Sequence, residues 1–281
     1  MFKFNKKGFF FAISAIILFS TLVALSQIEL NNFNNSKSIA IQSIEYKQLS
    51  NLSDDISFDI FNLSQFSLID FLDCNKLKVD GNLNYISKND FSNFILDYNG
   101  KINSFVKLKY SNSFVNLSNI IESNSINFIS NDINITRNFD SSGICIGGTK
   151  ELASIKLDIN SNNFIDSQNQ INSSSPVANL DFNYYNNLTK EISLTTNISK
   201  DNLSSVIILH SIDQNINIYF NDQSSACNYL RIDSNVLTTF SLELTFNEVD
   251  SNICKNKIYS GVILNIFEKD FNKNENLLIR K

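Results

Sequence analysis

The feature that most constrains this chain is an uncharged run from Gly8 to Ile28, preceded by Lys3, Lys6 and Lys7 and ended by Glu29. At 1.5 Å per residue, about 20 residues make a helix roughly 30 Å long, the thickness of a hydrocarbon core. One crossing fits, so residues 9–30 are expected to form a single transmembrane helix. The lysines stand on its N-terminal flank, and the first charge beyond it is acidic. The positive-inside bias then puts residues 1–8 in the cytoplasm and everything after Leu30 outside the cell membrane.

Three readings of this segment stand side by side. The run exceeds the apolar core of a signal peptide, about 7–15 residues, which favours an uncleaved signal anchor. Ala24-Leu25-Ser26 is a small-x-small site, and cleavage there starts a secreted protein near Gln27. Lys6-Lys7-Gly8-Phe9 ahead of an apolar helix resembles the leader of type IV pilins and of archaeal pilin-like surface proteins. That resemblance implies a peptidase cut between Gly8 and Phe9 that leaves the helix attached, with other surface or pilus subunits as partners. Ile13 stands where the bacterial pilins have a glutamate that pairs with a neighbour's N-terminal amine.

The remaining length is enough for one large or two modest extracytoplasmic domains, each with its own core. Asparagine is abundant, while the 281 residues hold one Pro, one Met and no Trp. Asn, Ile, Lys and Phe have AT-rich codons, so the bias reads as genomic background. The Asn-x-Ser/Thr sequons at Asn34, Asn51, Asn62, Asn116, Asn134, Asn172, Asn187, Asn197 and Asn202 are no more numerous than such a composition gives by chance. A net charge of −5, with lysines scattered singly, offers no basic stripe for a phosphate backbone, and nucleic acid is not an expected partner.

Cys74, Cys145, Cys227 and Cys254 are widely spaced, without the C-x-x-C half of a zinc site. Outside the cytoplasm such thiols pair. Two disulfides are expected, with three connectivities open.

Along the chain, Asn31-Asn32-Phe33-Asn34-Asn35 reads as a polar break. Ser36 then caps an amphipathic stalk helix to about Asp55, within a stalk region spanning 31–70. Ile56-Ser-Phe58-Asp-Ile60 alternates like a strand. Asp80-Gly81 suits a tight hairpin turn between Leu77-Lys-Val79 and Leu83-Asn-Tyr85. Phe91, Phe94, Ile95 and Tyr98 are spaced as one face of a helix that Asn99-Gly100 stops.

From Ile102 the period becomes two: Val106-x-Leu108-x-Tyr110, Ile133-x-Ile135, Ile155-x-Leu157-x-Ile159, Leu180-x-Phe182-x-Tyr184, Ile192-x-Leu194, Val206-x-Ile208, Ile216-x-Ile218, Phe240-x-Leu242-x-Leu244-x-Phe246 and Val262-x-Leu264-x-Ile266. Half-buried strands without interleaved helices predict a mainly β (α+β overall) fold, an antiparallel sandwich-like ectodomain behind the membrane and stalk helices. The segments Ile133 to Cys145 and Ile216 to Cys227 share an opening strand, a Ser-Ser and a cysteine. Read as a duplication, they divide the ectodomain into modules 71–176 and 177–281, meeting near Pro176.

Catalytic signatures are scarce. His210, the single histidine, sits in the apolar run Val206-Ile-Ile-Leu209 and reads as a strand residue. Gly143-Ile-Cys-Ile-Gly147-Gly148 lacks the lysine and spacing of a phosphate loop and reads as a turn beside a disulfide. The one loop with ligand-like spacing, Asp158-x-Asn160-x-Asn162-Asn163-x-x-Asp166, places oxygens at positions 1, 3, 5 and 9 of a calcium loop. Asn163 replaces the glycine of such loops and Asn169 the bidentate glutamate, so a hairpin turn is the simpler reading. No metal or cofactor is expected, and no enzyme.

The chain is therefore expected to be a single-pass membrane-anchored surface protein with a structural or adhesive role. Alternatives from other classes are an extracytoplasmic module for glycan or peptide and a secreted hydrolase.

Overall fold

The computed structural model describes residues 6–73, 75–84, 88–109, 114–130, 132–141, 143–161, 166–170, 176–187, 189–199, 205–211, 213–220, 226–247, 258–268 and 271–279. The chain divides into two compact units, Met1–Leu52 and Ser53–Lys281.

Helix α1 (Lys6–Leu63) is a single element that runs from the first unit into the second. Two expectations change here. The asparagines at 31–35 do not break the helix, because Asn is only a few tenths of a kcal/mol worse than an average helix residue, roughly 0.5, and neither Pro nor Gly stands among them. Ile56-Ser-Phe58-Asp-Ile60 is helical, not extended. Ile56 and Ile60, four residues apart, are fully buried, while Phe58 between them is 65% exposed. The membrane and stalk helices expected separately are thus stretches of one helix. Among the residues whose side chains are described, no helix is long and apolar enough to cross a membrane. In α1 that description begins at Phe19, inside the uncharged run.

The second unit is mainly β. After α1 come β1 (Phe66–Asp73), β2 (Lys76–Leu83), α2 (Lys88–Lys109), β3 (Phe114–Asn116), α3 (Ser118–Ser123), β4 (Ser125–Ser130), β5 (Ile133–Asn138), β6 (Gly143–Gly148) and β7 (Leu152–Ser161). The chain continues with β8 (Asp166–Gln170), β9 (Pro176–Asn186), β10 (Thr189–Ser199), β11 (Ser205–His210), β12 (Asn215–Phe220), β13 (Leu230–Ser234), β14 (Thr238–Phe246), β15 (Ile258–Glu268) and β16 (Phe271–Ile279). The first sheet has the order β1-β2-β14-β7-β9-β10; the second has β16-β15-β4-β5-β6-β13-β12-β11-β8, with β3 also on β15.

Every described pair is antiparallel except β7 with β9. A parallel pair needs a crossover, and here the crossing chain supplies β8, which joins the second sheet beside β11. The buried faces meet at aromatic residues: the Phe66 ring lies 5.6 Å from Phe128 of the second sheet and 6.2 Å from Phe240 of its own. Phe61, near the end of α1, reaches the same Phe128 at 6.0 Å.

The alternating runs become strands at most of the expected places, with three exceptions. Asp80-Gly81 is not a turn but the middle of β2. Glycine is needed there because a Cβ would stand 2.9 Å from the Gln65 carbonyl oxygen and 3.0 Å from the Phe240 ring. The strands instead stay paired as far as Asp73 with Lys76, and the Asp73 side chain accepts a hydrogen bond from the Asn75 amide. Helix α2 runs through Asn99-Gly100 and takes in Val106, expected as strand. Phe91, Ile95 and Val106 are its buried residues, and the Asn103 side chain both donates to the Val115 carbonyl and accepts from the Val115 amide, docking β3. In β11 the buried residues are Ile207 and Leu209, the opposite phase to Val206 and Ile208.

The glycine-rich stretch Gly143 to Gly148 is strand β6, inside the second sheet. Its glycines admit a crossing segment: a Cβ on Gly147 would lie 1.9 Å from the Ala226 oxygen. Asn228 donates to the Gly148 carbonyl and accepts from its amide, both at 2.8 Å, like an added strand residue.

The two segments read as a duplication open on β5 and on β12; the strands that they enter or lead to, β6 and β13, pair with β5 and β12 respectively and with each other in one sheet. Strands before and after Pro176 share both sheets, as β2 with β14 and β6 with β13 show. Position 176 therefore does not divide the sheets into modules.

Arg137 follows Ile133 and Ile135 on the buried face of β5 and is itself fully buried. It donates to the carbonyls of Asn138, Gly143 and Asn84 and to the Gln65 side chain, at 2.9–3.2 Å. Burial pushes its pKa down to about 10. Its guanidinium lies 4.9 Å from the Phe139 ring, which stacks on Phe91 of α2. One cation so ties the ends of the β1–β2 hairpin to β5 and β6.

Candidate functional site

Alternation along β2, β14 and β7 leaves one phase buried and turns the other to the outer face, while on β9 Asn183 of the outer phase is buried too. Register then assembles the outer residues into rows running across the strands. One row contains Asp80, Ser241, Asp158, Asn183 and Ser193. Ser241 donates to Asp80 at 2.6 Å, Asn183 to Asp158 at 2.8 Å and Ser193 to Asn183 at 3.0 Å. The next row alternates in charge: Lys78, Glu243, Lys156, Asp181. Lys76 pairs with Glu243 at 2.7 Å, and this hydrogen-bonded ammonium holds the Glu243 carboxyl below its ordinary value.

On the other side of the Asp158 row lies a third, Asn82, Thr239, Asn160 and Tyr185. Between the two rows a shallow basin of about 320 Å³ opens, lined by Asp80, Asn82, Asp158, Asn160, Tyr185 and Ser241 among others. Its donors and acceptors are only partly engaged. Asp158 receives Asn183 on Oδ1, and no described residue donates to its Oδ2. Asn160 Oδ1 is buried without a hydrogen-bond partner among the described residues.

The structure separates the residues whose spacing suggested a calcium loop. Asp158 and Asn160 lie on β7, not in a loop; Asp166 opens β8 in the other sheet, in register with His210; Asn162 is outside the described residues. Among the described residues no three His, Cys, Asp or Glu side chains stand together as a metal-holding group. His210 ends β11, half-buried, with Asn215 as its other register neighbour.

Of the cysteines, Cys145 and Cys227 form a disulfide that spans 82 residues of sequence. Cys74 and Cys254 are outside the described residues, and Gly8 and Phe9 fall where α1 is described by its backbone alone.

Sequence reasoning passed over Asn183, Tyr185, Ser241 and Arg137. The first three sit in the polar phase of strands that were recognised, so alternation placed them on a face but not beside one another. Arg137 carried a local signal: it continues the inward phase of Ile133-x-Ile135, in a chain with few arginines.

No family model matches this chain, and neither the curated proteins nor the solved structures contain a significant match to it.

Proposed function

We propose that the chain is a membrane-anchored, extracytoplasmic surface protein with a structural or adhesive role, in which the start of α1 is the anchor and residues 53–281 are the exposed domain. The observation that carries this is the exposure of α1. From Phe19 to Phe33 every residue is exposed, including Phe19 at 70%, Leu25 at 58% and Phe33 at 67%. Apolar side chains left exposed in a row, Leu22, Val23, Ile28 and Leu30 among them, are not a stable arrangement in water; they call for hydrocarbon or for other helices. The uncharged run continues toward the N-terminus to Gly8 and reaches the length of a crossing.

The lysines at positions 3, 6 and 7 favour a cytoplasmic N-terminus. A Cys145–Cys227 disulfide suits the oxidising side of the membrane. The sandwich-like packing proposed for the exposed domain rests on Phe66 against Phe128. The pilin-like reading adds subunit partners that cover the same helix surface.

The test is alkaline extraction of native membranes followed by mass spectrometry of the mature N-terminus. Retention with a start at Met1 or Phe2 fits a signal anchor, and retention with a start at Phe9 fits pilin-type processing. A soluble protein beginning near Gln27 would overturn the anchored reading.

A further inference from the structure

The geometry points to the basin on the outer face of the first sheet as a binding site for a neutral, polyhydroxylated ligand, a glycan, with Asp158 and Tyr185 as its principal contacts. The site concerns how an exposed domain would adhere and does not depend on the anchor.

The chemistry follows by elimination. An anion is disfavoured because two carboxylates, Asp80 and Asp158, line the basin, and the neighbouring cation Lys78 is already paired with Asp80 at 3.4 Å. A metal ion is disfavoured because β14 lies between the strands bearing the two carboxylates, two strand spacings or roughly 10 Å of backbone separation. An extended peptide binds by adding a strand to a free edge or by filling apolar pockets. Here β2, β14, β7 and β9 are all interior strands with partners on both sides. The apolar residues that border the basin, Ile159 and Phe240, belong to the buried phase.

What remains is a surface of hydroxyl, amide and carboxylate groups with unused capacity. Asp158 is oriented through Oδ1 by Asn183, which leaves Oδ2 to accept from a ligand hydroxyl in a charge-assisted hydrogen bond. Tyr185 stands opposite Asn160 in register, and its hydroxyl has no partner among the described residues. It offers a ring face together with a polar tip. The volume, about 320 Å³, is at the small end for ligand sites and suits a short stretch of saccharide.

The experiment titrates the full-length protein in detergent with chitotetraose, cellotetraose and mannotetraose to about 10 mM, followed by saturation-transfer NMR of the sugar. The expected result is millimolar or tighter binding of at least one of them. Asp158→Ala and Tyr185→Ala should each weaken it about tenfold or more, and Asp181→Ala, one row away, should leave it unchanged. Tyr185→Phe keeps the ring and should lose less than Tyr185→Ala, which also covers a failure of Asp158→Ala to fold. The inference is overturned by no binding of any of the three sugars, or by binding that both alanine variants retain. Because the titration runs equally on a membrane or a soluble protein, its failure is distinguishable from failure of the anchor.

Discussion

Phe19 and Ile60 are large apolar residues on the same helix, yet the first is 70% exposed and the second fully buried. Around Phe19 the apolar residues Leu22, Val23, Leu25 and Ile28 are exposed as well, so no protein face buries them. Around Ile60 they are confined: Ile56, Ile60 and the small residues Ser57 and Ser64 are buried, and Phe58 and Asp59 face out. A stripe is a code for packing against protein, whereas an exposed apolar run is a code for a different solvent. One helix carries both, and each stretch can be tested without disturbing the other.

The largest effect is expected from Phe19→Asp combined with Leu22→Asp. An aspartate near the centre of a crossing helix opposes insertion by about 2.5–3.5 kcal/mol, so the pair should move the protein from the membrane pellet to the soluble fraction. Its urea unfolding midpoint should stay that of the parent. Sedimentation of this variant with membranes would show that the run is held by something other than hydrocarbon.

Next is Ile60→Ala, which leaves a cavity under the sheets and should lower unfolding free energy by about 2–5 kcal/mol. Phe58→Ala, two residues away, should change little. Equal losses at both positions would contradict the stripe. Membrane retention should be unaffected by either substitution.

Reduction of Cys145–Cys227 removes a link that, for loops of this kind, typically contributes about 2–4 kcal/mol. Thermal melting with and without reductant should register it in the β unit. Non-reducing peptide mapping should find Cys145 joined to Cys227 and the remaining pair, Cys74 with Cys254, joined to each other. A mapped Cys74–Cys145 link would break both statements.

The smallest effect concerns the Lys76–Glu243 pair on the outer face. Because the folded-state pKa of Glu243 is depressed, its contribution is fully present above the unfolded value near 4.5. It is lost as pH falls through the lower folded value. Urea midpoints at pH 7 and pH 3 should therefore differ slightly less for Glu243→Gln than for the parent. An identical pH response in the two proteins would remove the pair from the account.

Much of the β unit was legible because alternation is a local property. Leu180-x-Phe182-x-Tyr184 and Phe240-x-Leu242-x-Leu244-x-Phe246 name their own buried faces. Legibility failed where one pattern serves two structures. Ile56, Phe58 and Ile60 satisfy both period two and the i, i+4 step of a helix, and Asp80-Gly81 is turn chemistry that β2 uses to let Gln65 and Phe240 approach. Asn99-Gly100 stops an isolated helix, but in α2 buried residues on both sides of it, Ile95 and Val106, hold the helix together.

The sequence by itself determined where charge is excluded, which strands alternate and which side of each is apolar, since these depend only on neighbours along the chain. Tertiary structure alone decided that Asp80 meets Ser241, a partner 161 residues away. It also decided that β8 leaves one sheet for the other so that β7 and β9 run parallel and set Asn183 beside Asp158. Side-chain alternation fixes a face, but strand order and register are fixed by the packing of segments distant in sequence. The basin exists only once those choices have been made.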